Sequence, residues 1–229
     1  IEGVKKGKGE LFDFLRLHDG TVFLMKDYDY LVEMSQGINQ ITTYGTKDAD
    51  VIGEAGPGEE FLSVTLKAGV GIKQIQTNLV GDYNLPNVLV AVTVGKYFNV
   101  EEEKIKQALE NYVPSNSRSQ LIEKDGNKII LDAYNANPTS MKAAIENFAK
   151  MLGENKILML GGMMEMGKES IAEHNSVVKL IDQYKWKDVV LVGGDFKKVN
   201  HAYNNFDNAE QAATWLKQQH LQNAMLLVK

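Results

Sequence analysis

The sequence predicts an α/β protein of two domains, the second a doubly wound parallel sheet. Three observations carry this. Apolar runs alternate with helical patterns through the second half, as strand–helix–strand units do in parallel sheets. The charge balance changes along the chain: residues 1–115 hold 11 basic and 17 acidic side chains and residues 116–229 hold 14 and 13, so the net charge passes from −6 to +1. The turn-forming run Pro114-Ser115-Asn116-Ser117 lies at that change, which places the domains at 1–115 and 116–229.

In the first half, Thr21–Met25, Ile41–Tyr44 and Val51–Glu54 read as short strands between Gly and Asp turns. Leu62, Val64 and Leu66 alternate with polar residues, the pattern of a half-buried strand. Asn87–Phe98 is rich in β-branched residues but long for a strand, so it is assigned to a buried helix. Glu101–Asn111 follows as a helix with a charged face. In the second half the strand runs are Lys128–Asp132, Lys156–Gly161, Asp188–Val192 and Ala224–Val228. The first intervening helix opens on Asn137-Pro138, an N-cap with Pro behind it, and Met141, Ile145, Phe148 and Leu152 form its stripe. Ser170 and Glu173 have the spacing of a capping box before Val177, Val178 and Ile181, and a third helix covers Ala209–Gln219.

Composition excludes several classes of function. The chain is 44% hydrophobic and 24% charged, values of a protein with a real core. It has no Cys, hence no disulfide, thiolate metal site or cysteine nucleophile. A net charge of −5 argues against a nucleic-acid binder, and no apolar run reaches membrane-spanning length. The chain opens on Ile1 and closes on Met225-Leu226-Leu227-Val228-Lys229, ends expected of a piece of a longer polypeptide.

Candidate site residues gather at strand ends. Gly3-Val4-Lys5-Lys6-Gly7-Lys8-Gly9 has neither the spacing nor the hydroxyl of a phosphate loop, and its lysines read as a solvated face. Asp132-Ala133-Tyr134-Asn135-Ala136-Asn137-Pro138 follows a strand, where open α/β sheets bind ligands. Asp132 suits a ribose hydroxyl and equally a turn; Asn137 reads as the helix cap. Gly161-Gly162-Met163-Met164-Glu165-Met166-Gly167 also follows a strand, with Glu165 either solvated or facing an amine. His174 lies on an apolar stripe, the place of a satisfied core histidine. Arg118, the sole arginine of the second half, has the chemistry for a bidentate phosphate contact from a hinge, although a surface arginine is the commoner case.

Taken together, these segments resemble the Mur ligases. Asp132-Ala133-Tyr134-Asn135-Ala136-Asn137-Pro138 matches the D-x-Y-N-A-N-P signature of the branch that uses D-alanyl-D-alanine. Lys8-Gly9-Glu10-Leu11-Phe12, Asn84-Leu85-Pro86-Asn87, Ser117-Arg118 and Gly161 through His174 stand in register around it. The resemblance implies the rear part of a central P-loop-type ATPase domain followed by a Rossmann-like C-terminal domain. It further implies a cytoplasmic, monomeric, ATP- and Mg2+-dependent ligase of peptidoglycan synthesis. Such an enzyme joins D-alanyl-D-alanine to UDP-N-acetylmuramoyl-tripeptide through an acyl phosphate. By the same resemblance, Asn84 and Asn87 meet the adenine end of ATP and Arg118 reaches the phosphates on domain closure. Asp132 holds the ribose, with Tyr134, Asn135 and Asn137 around it. Lys8 is the lysine carried as a carbamate near magnesium, and Glu165 and His174 lie towards the incoming dipeptide. The sequence departs from the family at Tyr83, where His is usual, and at Gly162, where Asp is usual. The resemblance implies that the family's phosphate loop and UDP-sugar domain should precede Ile1, so the 229-residue chain alone is expected not to turn over. The alternatives are a sibling or folylpolyglutamate-type ligase, or a non-catalytic nucleotide- or partner-binding module, for which the Tyr83 and Gly162 departures speak.

Overall fold

A computed structural model describes residues 2–57, 60–115 and 117–229, so that Asn116 of the expected linker lies outside the described residues. The chain divides into two compact units, residues up to 78 with 82–112, and residues 79–81 with 113–229. The division thus falls three residues before the expected boundary, and one short segment groups with the later unit.

The first unit begins with α1 (Glu2–Leu17), β1 (Thr21–Met25), α2 (Asp29–Met34), β2 (Gln40–Gly45) and β3 (Val51–Ala55). It continues with β4 (Ser63–Ala68), β5 (Gln74–Gln76), α3 (Leu85–Tyr97) and α4 (Glu102–Asn111). The sheet runs β1-β2-β3-β4-β5, parallel across the first three strands and antiparallel beyond. Every expected strand forms, and the β-branched run is a helix, its Val88, Leu89 and Val92 buried. A Cβ on Gly53 would lie 2.7 Å from Leu89 Cδ2, so a bare backbone in β3 lets α3 approach the sheet. Helix α1 was not expected, because Gly3, Gly7 and Gly9 each weaken a helix by about 1 kcal/mol. Its lower half is fixed by packing instead: Phe12 and Leu15 sit against Val22, Leu24 and Ile38. Arg16 adds hydrogen bonds to the Gln36 and Met34 carbonyls at 2.8 and 2.7 Å.

The second unit comprises β6 (Gln120–Lys124), β7 (Asn127–Leu131), α5 (Pro138–Lys150), β8 (Lys156–Gly161) and α6 (Ser170–Ile181). Then come β9 (Asp188–Val192), β10 (Asn204–Phe206), α7 (Ala209–Gln218) and β11 (Met225–Val228). The sheet order is β10-β9-β8-β11-β7-β6, parallel except for β6. Passage from β7 to β8 and on to β9 moves one way along the sheet, whereas α7 leads back to β11. Right-handed crossovers therefore put α5 and α6 on one face and α7 on the other. Ala212, Trp215 and Leu216 of α7 cover Ile157, Met159, Val190 and Leu226, leaving the alternate residues Leu158, Leu160, Val189 and Leu191 buried towards the opposite face.

Two local expectations are corrected. Leu152 is 89% exposed, because Met151 turns to an extended conformation at the end of α5 and carries the chain off the stripe. The Ser170–Glu173 capping box does not form; a 3-10 turn at Gly167–Glu169 runs directly into α6, so no free helix start remains to be capped. The box that does form is at α5, where Ser140 N donates to Asn137 Oδ1 at 2.9 Å and Asn137 N donates to Ser140 Oγ at 3.1 Å. Strand β6 also escaped the periodicity reading. It joins β7 through Asp125-Gly126, both at positive φ, the two-residue turn whose twist matches a hairpin.

Candidate functional site

The carboxyl ends of β7, β11 and β8 lie side by side, and each delivers a feature to one edge of the second unit's sheet. Strand β11 places Lys229 between its neighbours: Lys229 N donates to Met159 O at 2.9 Å, Gly161 N donates to Lys229 O at 2.6 Å, and Asp132 N donates to Val228 O at 2.9 Å. The residue before Lys229 is thereby fixed to the end of β7, and Lys229 to β8 through its own N and O. Its side chain, 3% exposed, reaches across to Asp132, Nζ to Oδ2 at 2.6 Å. The other carboxylate oxygen accepts from Ser119 N at 3.0 Å and Ser119 Oγ at 3.3 Å. Removing one member of a buried ion pair strands the other charge in low dielectric, at a cost of about 3–5 kcal/mol.

Arg118 stands next to that junction. It is exposed, and its guanidinium carbon lies 3.7 Å from the centroid of the Tyr134 ring. A cation over a ring at an exposed site contributes about 0.5–1 kcal/mol, enough to bias a side chain without locking it. The residues on either side, Ser117 and Ser119, have φ of 58° and 49°. Left-handed backbone costs a residue with a Cβ roughly 1–2 kcal/mol, and the bonds from Ser119 to Asp132 offset part of that. The bend that presents Arg118 is thus maintained by the Asp132 carboxylate.

The rest of the signature segment serves the helix. Asn137 caps α5, and Asn135 Oδ1 accepts from Ala136 N at 2.8 Å. Both are exposed, as is Tyr134. In the neighbouring loop Glu165 is exposed with φ of 60°, while His174 is fully buried. Met163 N donates to His174 Nε2 at 3.0 Å, and Nδ1 meets the Ser170 carbonyl at 2.7 Å. An acceptor at Nε2 and a carbonyl partner at Nδ1 define the neutral tautomer protonated at Nδ1. With Phe196 edge-on at 4.6 Å, the ring has no face for a dipeptide. The contact suggested by resemblance is corrected to the core histidine of the residue-level reading, one that positions the glycine loop.

Gly162 has a packing reason to differ from Asp. A Cβ there would stand 2.5 Å from Gly194 Cα, and one on Gly194 would stand 2.7 Å from Gly162 Cα. The two loops cross backbone on backbone, so a side chain at 162 requires another path for 193–194.

The first unit carries the remaining candidates. Asn87 Nδ2 donates to Asn84 Oδ1 at 3.0 Å at the start of α3; Asn84 is buried and Asn87 exposed. Lys8 is exposed on α1. Among the described residues no group of three or more His, Asp or Glu side chains is placed to hold a metal ion. Reading the sequence also missed Lys229 and Ser119, which hold the Asp132 carboxylate. The available signal was a lysine directly behind an apolar strand, as Asp132 stands directly behind another.

The sheet order and this edge define the class: residues 117–229 match the Mur ligase glutamate ligase domain, and the chain belongs to the Mur ligase family. Over 195 residues it is 32% identical to the UDP-N-acetylmuramoyl-tripeptide–D-alanyl-D-alanine ligase of Bacillus subtilis, covering 84% of this chain and 42% of that one. Its identity to the ligase of the same name from Escherichia coli is 30% over 77% of this chain and 40% of the relative. The chain spans about half the length of the curated relatives it matches. Among solved structures, MurF from Acinetobacter baumannii superposes with a TM-score of 0.82 at 24% identity, over 99% of this chain and 51% of that one. MurF from Thermotoga maritima, solved with ADP, gives 0.78 at 17% identity over 92% and 49%. These likenesses establish the fold. No described helix is long and apolar enough to cross a membrane.

Proposed function

We propose that the chain serves an ATP-dependent amide-bond ligase that joins D-alanyl-D-alanine to UDP-N-acetylmuramoyl-tripeptide in cytoplasmic peptidoglycan synthesis, acting as a monomer. The observation that carries the reading is the D-A-Y-N-A-N-P segment at the carboxyl end of β7, with its acid beside an exposed arginine. A carboxylate is a poor electrophile; phosphoryl transfer from ATP makes it an acyl phosphate, and attack by the dipeptide amine expels phosphate. Catalysis of such transfers is largely positioning and charge stabilisation.

The chain's own residues supply parts of that work. Asp132 spends two lone pairs of Oδ1 on Ser119 and one of Oδ2 on Lys229. A carboxylate has about four such sites, which leaves one for a ribose hydroxyl. Among the described residues Arg118 is held only by a ring face, so it can leave Tyr134 for a phosphate at small cost. Asn84 and Asn87 offer carboxamides for an adenine edge, and Glu165 offers a carboxylate for an ammonium. No step is assigned to Lys8 or to a metal ion held by these residues. Gly162, being required by the Gly194 crossing, no longer speaks for a degenerate module.

The test is phosphate release with magnesium-ATP, by a protein that carries these 229 residues together with the remaining length of its relatives. Release is expected only when UDP-N-acetylmuramoyl-tripeptide and D-alanyl-D-alanine are both present. Arg118→Ala is expected to lower it about 10²–10³-fold, as for other lost transition-state donors. Release with folate and glutamate instead, or with no pair at all, refutes the assignment.

A further inference from the structure

We infer that Lys229, which has no assigned role, is a positioning residue that sets Arg118 through Asp132 and Ser119. The chain of contacts is continuous. The Lys229 backbone is bonded through N and O to the end of β8, and the Val228 carbonyl before it accepts from Asp132 N behind β7, so the ammonium is a post set in the sheet. That ammonium holds Asp132 Oδ2 at 2.6 Å, and Oδ1 holds the backbone N–H of Ser119. Ser119 is 5% exposed and left-handed. The residue before it is Arg118, resting on Tyr134, itself two residues beyond Asp132. One carboxylate thus fixes both the arginine's backbone and the start of the segment that carries its platform.

Lys229 is not itself a phosphate ligand. Its side chain is 3% exposed and its ammonium is engaged by Asp132. A neutral residue of similar length at 229 fills the same space but lets the carboxylate turn away. The Ser119 bend then relaxes and Arg118 is no longer delivered over the ring. The inference rests on the ligase reading only for the work Arg118 does. Its test needs no nucleotide, so failure of one is distinguishable from failure of the other.

The test is NMR of the 229-residue chain, reading Ser119 amide exchange and the Arg118 Nε–H proton, which the Tyr134 ring current shifts upfield. Tyr134→Leu supplies the unshifted position. In Lys229→Met, Ser119 exchange is expected to rise at least tenfold and the Arg118 proton to move to the Tyr134→Leu position, while β8 and β9 amides stay protected. Should the lone Asp132 charge unfold that variant, Asp132→Asn/Lys229→Met removes both charges and is read by the same two signals, with the same changes expected. A wild-type value of either signal in a folded chain lacking Lys229 overturns the inference. So does an Arg118 proton unmoved by Tyr134→Leu.

Discussion

Gly162→Ala tests the crossing of the two glycine loops most directly. The added methyl carbon meets Gly194 Cα at 2.5 Å, Gly194 N at 2.9 Å and the Gly193 carbonyl at 3.1 Å. All three are backbone atoms, so no side chain can swing aside, and ordinary contact requires about 1 Å of loop displacement. Overpacking of this kind costs about 1–3 kcal/mol, and contact with three backbone atoms places Gly162→Ala at the upper end, about 2–3 kcal/mol. At about 2–4 °C per kcal/mol for a chain of this size, the melting temperature should fall by roughly 4–12 °C in differential scanning calorimetry. The neighbour is the control: a Cβ on Gly161 meets only the Lys229 carbonyl at 3.5 Å, an ordinary contact, and Gly161→Ala should stay within about 0.5 kcal/mol. Displacement of 162 also draws Met163 N from His174 Nε2, so exchange at that amide should accelerate in Gly162→Ala alone. A Gly162→Ala chain that melts with the parent, Met163 still protected, refutes the backbone-on-backbone crossing and the packing account of the missing Asp.

Asn137→Ala removes the side-chain half of the α5 capping box, the acceptor for Ser140 N, and should cost about 1 kcal/mol in denaturant unfolding; an unchanged midpoint would show that α5 does not depend on its cap. Tyr203, partly desolvated and donating its hydroxyl to Asp182, has its pKa pushed up to about 12. The unfolded tyrosine titrates near 10, so between about pH 10 and 12 the native state binds more protons and stability falls as pH rises. Tyr203→Phe should flatten that fall across the window, and an equally steep decline in the variant would contradict the shift.

The parallel strands were legible because strands buried on both faces are written as unbroken apolar runs, such as Ile157-Leu158-Met159-Leu160. The edge strands were not. Gln120–Lys124 and Asn204–Phe206 each pair on one side only, and their composition follows solvent more than the core. Helix α1 was hidden by its glycines, since packing near Phe12 and Leu15 outweighs propensity. At the site the same division holds. Asp132 and Arg118 stand out as residue types in suggestive places, but what holds them comes from 97 residues away for Lys229 and 13 for Ser119. Pairings of that span leave no periodicity to read.

Strand β11 is made after β7 and β8, yet it lies between them. During synthesis from the amino end, β6 to β10 can emerge and collapse with a slot where the central strand belongs. Only when residues 225–229 arrive do β7 and β8 acquire a common neighbour. Closing a loop of that length is slow relative to local contacts. The junction around Asp132 should therefore mature on the ribosome only after residues 225–229 have been made. Until then the chain exposes two unpaired strand edges, the form in which aggregation is the competing fate.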